Sequence, residues 1–460
     1  MESQMCYDDV AWEQSDDISD NWLSQFLDIN IKRPIAQFIL KHDSGDDPEF
    51  KILQKGSFNI TLQMKYTYGA TNIRFPQPGA VLFPEEKVQN EVAVMRYISD
   101  QTSVPIPFVL HSGTQKESPP QPRPVYHDEP YCPFNDHLDK LYRQLAMVLL
   151  DLSKPQFQRI GSLSQVDDFT WKVTGRPLSM NMNELVRLGT LPRSKLPPQF
   201  STFQTASSYI EYLAQLNILH LIYQRNDAVK SADDCRRKYV ARLLFHKLAK
   251  DKKLSQSCHE NGPFKLWCDD FRPANILLHD DLTIAGIVDW EFTYAAPLEF
   301  SYAPPWWLLI EKPEFWREGL DGWTRVFERR LETFLAAMRH CEEMASQQGQ
   351  CRLSEKMRQS WETGDFWVVY GLLHSFAFDA IYWQKIDRRF FGPTKTNDPN
   401  EAWKERLYLL DQDQRRDMER LVTSKLAEME ERVLAWDPDE YTENFRQQLK
   451  MARAEKLGVD

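Results

Sequence analysis

The chain has 460 residues, more than one ordinary domain holds, so two lobes or two domains are expected. Apolar residues make up 42% and include fourteen tryptophans, which supports a large core and excludes global disorder. A net charge of −11, with no run of five or more Lys/Arg, argues against a nucleic-acid or anionic-membrane surface.

Residues 1–28 are acidic and lack clear periodicity, and are expected to form an N-terminal tail. FKILQ, FNITLQMKY and ATNIRF then carry β-branched and aromatic residues punctuated by Gly56, Gly69 and Gly79, the pattern of short strands. A helix is predicted from Pro84 to Tyr97, with Val88, Val92, Val94 and Met95 near one face and Glu85 and Glu86 in its first turn. SVPIPFVLHSG follows as a loop running into another strand. The stretch 114–136 holds six prolines and no apolar run of strand length, which makes it a linker or loop.

Helical stripes dominate beyond it. His137–Ser153, Ala206–Tyr223 and Ser231–Lys250 are predicted helices, the last opening on Ser231-x-x-Asp234. Further helices are predicted near 320–345, 362–384 and 411–434. The outline is a small strand-rich lobe over 29–113, the linker, and a large, mainly helical lobe over 137–460.

The seven cysteines are odd in number and form no C-x-x-C, which favours neither a disulfide framework nor a zinc site. No apolar segment reaches the roughly 18 residues a bilayer span needs, and the start lacks a charged-then-apolar leader. A soluble protein of the reducing cytoplasm is expected, without membrane or nucleic-acid partners.

The chemistry concentrates in one stretch, LWCDDFRPANILLHDDLTIAGIVDWEF, from Leu266 to Phe292. NILLH and TIAGIV are β-type runs separated by Asp280-Asp281-Leu282, a hairpin pattern. Folding about residue 282 brings Asn275 and Asp289 to the same open end. Asp270 lies five residues before Asn275, on a loop that Pro273 keeps from becoming helix. Two carboxylates and an amide form an oxygen-rich cluster suited to a hard divalent cation such as Mg²⁺. A third group, free of metal, can orient or deprotonate a hydroxyl, and phosphoryl transfer asks for this set. Acids that merely cap the turns of a polar hairpin explain any one of these aspartates, but explain the joint spacing poorly.

This stretch resembles the catalytic core of the aminoglycoside phosphotransferase and choline-kinase-like enzymes, relatives of protein kinases. Their pattern runs H-x-D-x-x-x-x-N, followed by a metal motif like I-D-W/F-E. The longer string CDDFRPANILL…IVDWEFTYAAPLEFSYAPPWWLL is most similar to the large fungal branch of the phosphotransferase enzyme family. The resemblance implies an α+β, two-lobed, protein-kinase-like fold with a small antiparallel-sheet N-lobe and a large, mainly helical C-lobe. It implies Asp270 as the catalytic aspartate, and Asn275 and Asp289 as ligands to Mg²⁺, with ATP as co-substrate. Arg272 would grip the γ-phosphate; a salt bridge within its own loop is the alternative. Upstream, Gly56 and Ser57 resemble the loop over the nucleotide phosphates, although a plain hairpin turn accounts for them as well. Arg74 in IRF stands where the family has a phosphate-binding Lys, with Glu91 as its ion-pair partner. The acceptor would be a small-molecule hydroxyl, bound between the 155–262 region and the aromatic run Tyr302–Trp307.

Three departures from the family pattern stand out. Cys268 replaces the usual His, Arg74 replaces Lys, and 114–136 contains no apolar run of the kind that forms the adenine-binding hinge. A catalytically impaired pseudokinase acting as a binding or scaffold protein is therefore the alternative. The intact Asp270, Arg272, Asn275 and Asp289 oppose it.

Overall fold

The computed structural model describes residues 5–43, 45–113, 135–345, 352–396, 398 and 400–457. The Pro-rich linker expected over 114–136 lies outside the described residues, apart from its last two, which open a helix.

The N-terminal segment is not a tail. It forms helix α1 (Asp9–Phe26), capped by Asp8, whose carboxylate accepts from Ala11 N at 3.0 Å. Ala11, Ser15, Ile18, Ser19 and Phe26 are its buried positions. Small residues at three of them thin the apolar stripe, so the acidic exposed face dominated the sequence pattern. Ala11 and Ile18 pack with Trp436 and Phe445 near the C-terminus. Phe26 joins Ile35 and Ile39 of α2 (Ile29–His42) over one face of the first sheet.

That sheet is antiparallel, in the order β1 (Glu49–Lys55), β2 (Asn59–Tyr66), β3 (Gly69–Pro76). Successive strand residues point to opposite faces. Ile73 and Phe75 turn toward α2, so Arg74 between them, opposite Thr61 in register, turns toward the large lobe.

Helix α3 (Pro84–Gln101) forms where predicted, and Val94 and Met95 of its predicted face are buried, but the other half of that face is not. Val88 and Val92 are only half-buried, whereas Lys87, Asn90, Glu91, Val94 and Ile98 are buried. A polar row lies inward because this face borders the site. The strand expected within 103–113 does not form. Pro105 and Pro107 have no N–H for a ladder, and the segment stays extended, with Pro105 O accepting from Ile287 N at 2.9 Å.

Helix α4 (Asn135–Leu152) leads to a hairpin absent from the predicted elements, β4 (Ser162–Asp167) and β5 (Thr170–Gly175). It docks on α3, where Leu163 N donates to Asn90 Oδ1 at 3.2 Å. Then come α5 (Met180–Leu188), α6 (Ala206–Tyr223) and α7 (Ala232–Lys250). Ser231 caps α7 by accepting from Asp234 N at 3.1 Å. The stretch around Leu266–Phe292 comprises β6 (Lys265–Cys268), β7 (Ile276–Leu278), β8 (Ile284–Ile287) and β9 (Thr293–Ala296), with β6 pairing β9 and β7 pairing β8.

The remainder is helical: α8 (Leu298–Tyr302), α9 (Gly319–Met344), α10 (Leu353–Thr363), α11 (Asp365–Leu373), α12 (Phe378–Ile381), α13 (Asp387–Phe391), α14 (Gln412–Glu428) and α15 (Glu440–Leu457). The helix expected over 362–384 is therefore broken. Gly364 at φ +81° starts α11, and the chain leaves helix again before Ser375. There the Asn181 side chain takes over the backbone, accepting from Ser375 N and donating to Ser375 Oγ, both at 3.1 Å. One contiguous core joins α3 to the C-terminal helices through Trp290, Tyr294, Trp307, Trp323 and Phe366. Among the described residues no helix is long and apolar enough to cross a membrane.

Candidate active site

The hairpin forms as its sequence specifies. Ile276 pairs with Ile287 and Leu277 with Gly286, and Leu282 takes the turn at φ +65°. Val288 N donates to Asn275 O at 2.9 Å, so Asn275 and Asp289 leave the ladder side by side at its open end. The Asn275 amide nitrogen donates to Asp270 O at 2.8 Å and to Asp270 Oδ2 at 3.1 Å. This orientation fixes Asp270 through the amide nitrogen and leaves the amide oxygen of Asn275 unspent on it. Asp289 itself sits at φ +65°, a left-handed conformation that Asp tolerates better than most residues and that is often found at functional sites.

Asp270 is nearly buried, and burial pushes its carboxyl above the ordinary value. Arg272 and Asn275 act in the opposite direction. Arg272 Nε lies 2.8 Å from Asp270 Oδ1, the in-loop salt bridge that was the alternative to a phosphate grip. Its side chain is 41% exposed, so it is free to turn outward.

Arg74 is the hub of the other half. It is 6% exposed and bonds Glu91 Oε1 at 3.1 Å through one terminal nitrogen, while the other pairs with Asp289 and lies 3.8 Å from Glu291. Lys87 and Asn59, which no sequence pattern singled out, complete the network. Lys87 pairs with Glu291, and Asn59 Nδ2 donates to Glu291 Oε2 at 3.0 Å. Burial alone would raise the Glu291 carboxyl; the cations Lys87 and Arg74 override it and hold the group below its ordinary value. Lys87 lies one helical turn before Glu91 on α3. That i,i+4 spacing was the available signal, obscured by the valines beside it.

Gly56 and Ser57 form the β1–β2 turn in plain hairpin fashion. Gly56 N donates to Asn59 O at 2.8 Å, so it has no free N–H for a phosphate, and its φ is not positive. Phe58 of this turn stacks edge-on against Phe292 at 5.4 Å, with the Lys87 ammonium about 5 Å from both rings. The turn thus closes down on the residues that follow Asp289.

The donor set passes the test for Mg²⁺, since one amide oxygen and one carboxylate are hard ligands of the type that leaves positions for water and phosphate. Among the described residues no cluster of three or more His, Cys, Asp or Glu could hold a metal by itself. The one competitor for Asp289 is the Arg74 guanidinium.

Cys268, in place of the usual His, is buried and its thiol is pushed up by burial, which leaves it unreactive. Asp269 is saturated: it accepts from Trp267 Nε1 at 2.7 Å, Met180 N at 2.9 Å and Tyr294 OH at 3.2 Å. Burial nevertheless pushes its carboxyl up to about 6. Against Cys268, Asp269 and Phe271, the neighbours of Asp270 in the chain, lies an apolar cavity walled also by Trp267, Trp306, Trp307, Phe366 and Tyr370.

Residues 73–332 match the family model described as the phosphotransferase enzyme family, well over half the chain. The chain belongs to this family. No curated protein sequence matches it. Solved structures similar to it include the aminoglycoside phosphotransferase APH(4)-Ia, 15% identical over 76% of this chain and 98% of that one, at a TM-score of 0.39. The ethanolamine kinase of Plasmodium vivax is 12% identical over 83% and 89%, at 0.38. The spectinomycin phosphotransferase APH(9)-Ia, solved with ADP and spectinomycin, is 11% identical over 86% and 98%, also at 0.38. At that level of similarity no ligand or residue role carries over from these structures to this member of the phosphotransferase family.

Proposed function

We propose that the chain transfers the γ-phosphoryl group of ATP to a hydroxyl of a small molecule, with Mg²⁺. The observation that carries this reading is the convergence of Asp270, Asn275 and Asp289 at the open end of the β7–β8 hairpin, locked by the bonds from Asn275 to Asp270.

Asn275 and Asp289 would hold Mg²⁺, which neutralises phosphate charge as the transferring group leaves ADP. Asp270 would orient the acceptor hydroxyl and take its proton. Its raised carboxyl makes it the stronger base once ionised. The bond from the acceptor oxygen to the γ-phosphorus forms as the bond from that phosphorus to the β–γ bridging oxygen breaks. ADP carries away the electron pair, and the proton passes from Asp270 to solvent. Arg272 would turn from Asp270 to the γ-phosphate. Arg74, kept in place by Glu91, would exchange Asp289 for a phosphate oxygen beneath the Gly56–Ser57 turn.

One observation favours the pseudokinase reading. Arg74 on Asp289, Lys87 on Glu291 and Phe58 on Phe292 let the protein's own groups occupy the region that phosphates would need. Thermal unfolding with and without Mg·ATP separates the two. A ligand at a hundred times its dissociation constant adds about 2.7 kcal/mol of stability. The phosphotransferase reading expects a Mg²⁺-dependent rise in Tm that Asp289→Asn abolishes. A wild-type Tm unmoved by Mg·ATP establishes the scaffold reading instead.

A further inference from the structure

The cavity lined by Cys268, Asp269 and Phe271 carries information about what it accepts. Its walls are aromatic and held rigidly by one another. Phe271 meets Trp307 edge-on at 5.6 Å, and Phe366 lies 5.9 Å from Tyr370. Polar side chains reach it too, but nearly all are already engaged. Asp269 has its three donors. The Asn181 amide is committed to Ser375 through both its oxygen and its nitrogen. Tyr370 OH donates to Glu314 Oε2 at 2.6 Å. The His374 ring lies against Tyr370 at 4.1 Å, and burial, then the Lys312 ammonium, hold it neutral.

Glu184 on α5 is the exception. It lines the cavity, is half-buried, and no hydrogen-bond donor among the described residues reaches its carboxylate. Burial pushes its carboxyl up; Lys312 and Arg187 oppose that shift, while the charges of Glu314 and, least of all, Asp270 add to it. The lone unspent acid of the cavity therefore lies within electrostatic reach of the aspartate of the catalytic loop.

Resting on the phosphotransferase reading, we infer that the acceptor is an alcohol with a largely apolar, aromatic or aliphatic body, bearing at most one ammonium or other donor directed at Glu184. A polyamine sugar does not fit. Each further ammonium would lose its water in this cavity without an unspent carboxylate of the cavity to receive it. An apolar body is instead stabilised by the surface it buries against the rings.

Equilibrium binding to the nucleotide-free protein, followed by ligand-observed NMR, tests this. Three compounds are compared: 2-phenylethanol, phenylalaninol (a similar body plus one ammonium) and 2-deoxystreptamine (two ammonium groups and no apolar body). Phenylalaninol is expected to bind about tenfold more tightly than 2-phenylethanol in wild type, and 2-deoxystreptamine not to bind. Glu184→Gln should remove the phenylalaninol advantage and leave 2-phenylethanol unchanged. Trp306→Ala should weaken both aromatic alcohols by a similar factor. The inference is overturned by 2-deoxystreptamine binding as tightly as 2-phenylethanol, by Glu184→Gln sparing the phenylalaninol advantage, or by neither aromatic alcohol binding to folded wild type. Because no nucleotide is present, failure of the Mg·ATP test and failure of this one are separately visible.

Discussion

Asp269 offers a sharp test of the electrostatics around the catalytic loop. Its carboxyl rises from 3.8 to about 6 because burial outweighs three hydrogen bonds. The folded state therefore binds a proton more tightly than the unfolded chain. Stability from this group is fully present below the unfolded value and is lost as pH rises toward 6. Linkage between those two values gives the wild type about 1 kcal/mol more stability at pH 5 than at pH 7 from this residue alone. Asp269→Asn removes the titration. The amide oxygen can keep Trp267 and Tyr294, which share one carboxylate oxygen, but its NH₂ faces the Met180 N–H, at a cost of about 1–3 kcal/mol. Other titrating groups act on both proteins alike and cancel in the difference. Urea unfolding followed by tryptophan fluorescence should show the gap between wild type and Asp269→Asn widening by about 1 kcal/mol from pH 7 to pH 5. A gap independent of pH would refute the view that burial of Asp269 holds a proton there.

Arg74→Ala should cost about 3–5 kcal/mol by denaturant unfolding, since it removes the buried guanidinium that Glu91, Asp289 and Glu291 share. A loss below about 1 kcal/mol, the range of exposed pairs, would show that the network is solvated. Far from the site, Arg242 binds Asp379 through two bonds of 2.6 and 3.0 Å, and both residues are buried. Asp379→Leu should cost a similar 3–5 kcal/mol, and the double change Arg242→Met/Asp379→Leu much less, because the lone buried charge is removed. The same denaturation measurement checks it, and additive losses would contradict the pairing.

How much of this was legible in the sequence depends on the range over which each feature is specified. The β7–β8 hairpin was readable because Asn275 and Asp289 are set by a local turn and a period of two. The Arg74–Glu91 pair came from family resemblance, and the structure places it at 3.1 Å. Helix α1 was missed because Ala11 and Ser15 fill inner positions where a larger side chain would have exposed the period. On α3 the apolar positions Val88 and Val92 indicated one face, and the packing buried another, because Lys87 and Glu91 find their partners on β3 and after β8, distant in sequence. Those tertiary pairs also govern what the site must do to work. Arg74 holds Asp289 and Glu91 at once, so a cation arriving alone at Asp289 meets a guanidinium already there. A phosphate arriving with it gives that guanidinium a new partner, so the charge released from Asp289 is never left unpaired in a buried place. Under the proposed phosphotransferase reading, the arrangement would favour a metal–nucleotide complex over either component alone. That preference follows from Arg74 bridging two carboxylates rather than from any motif.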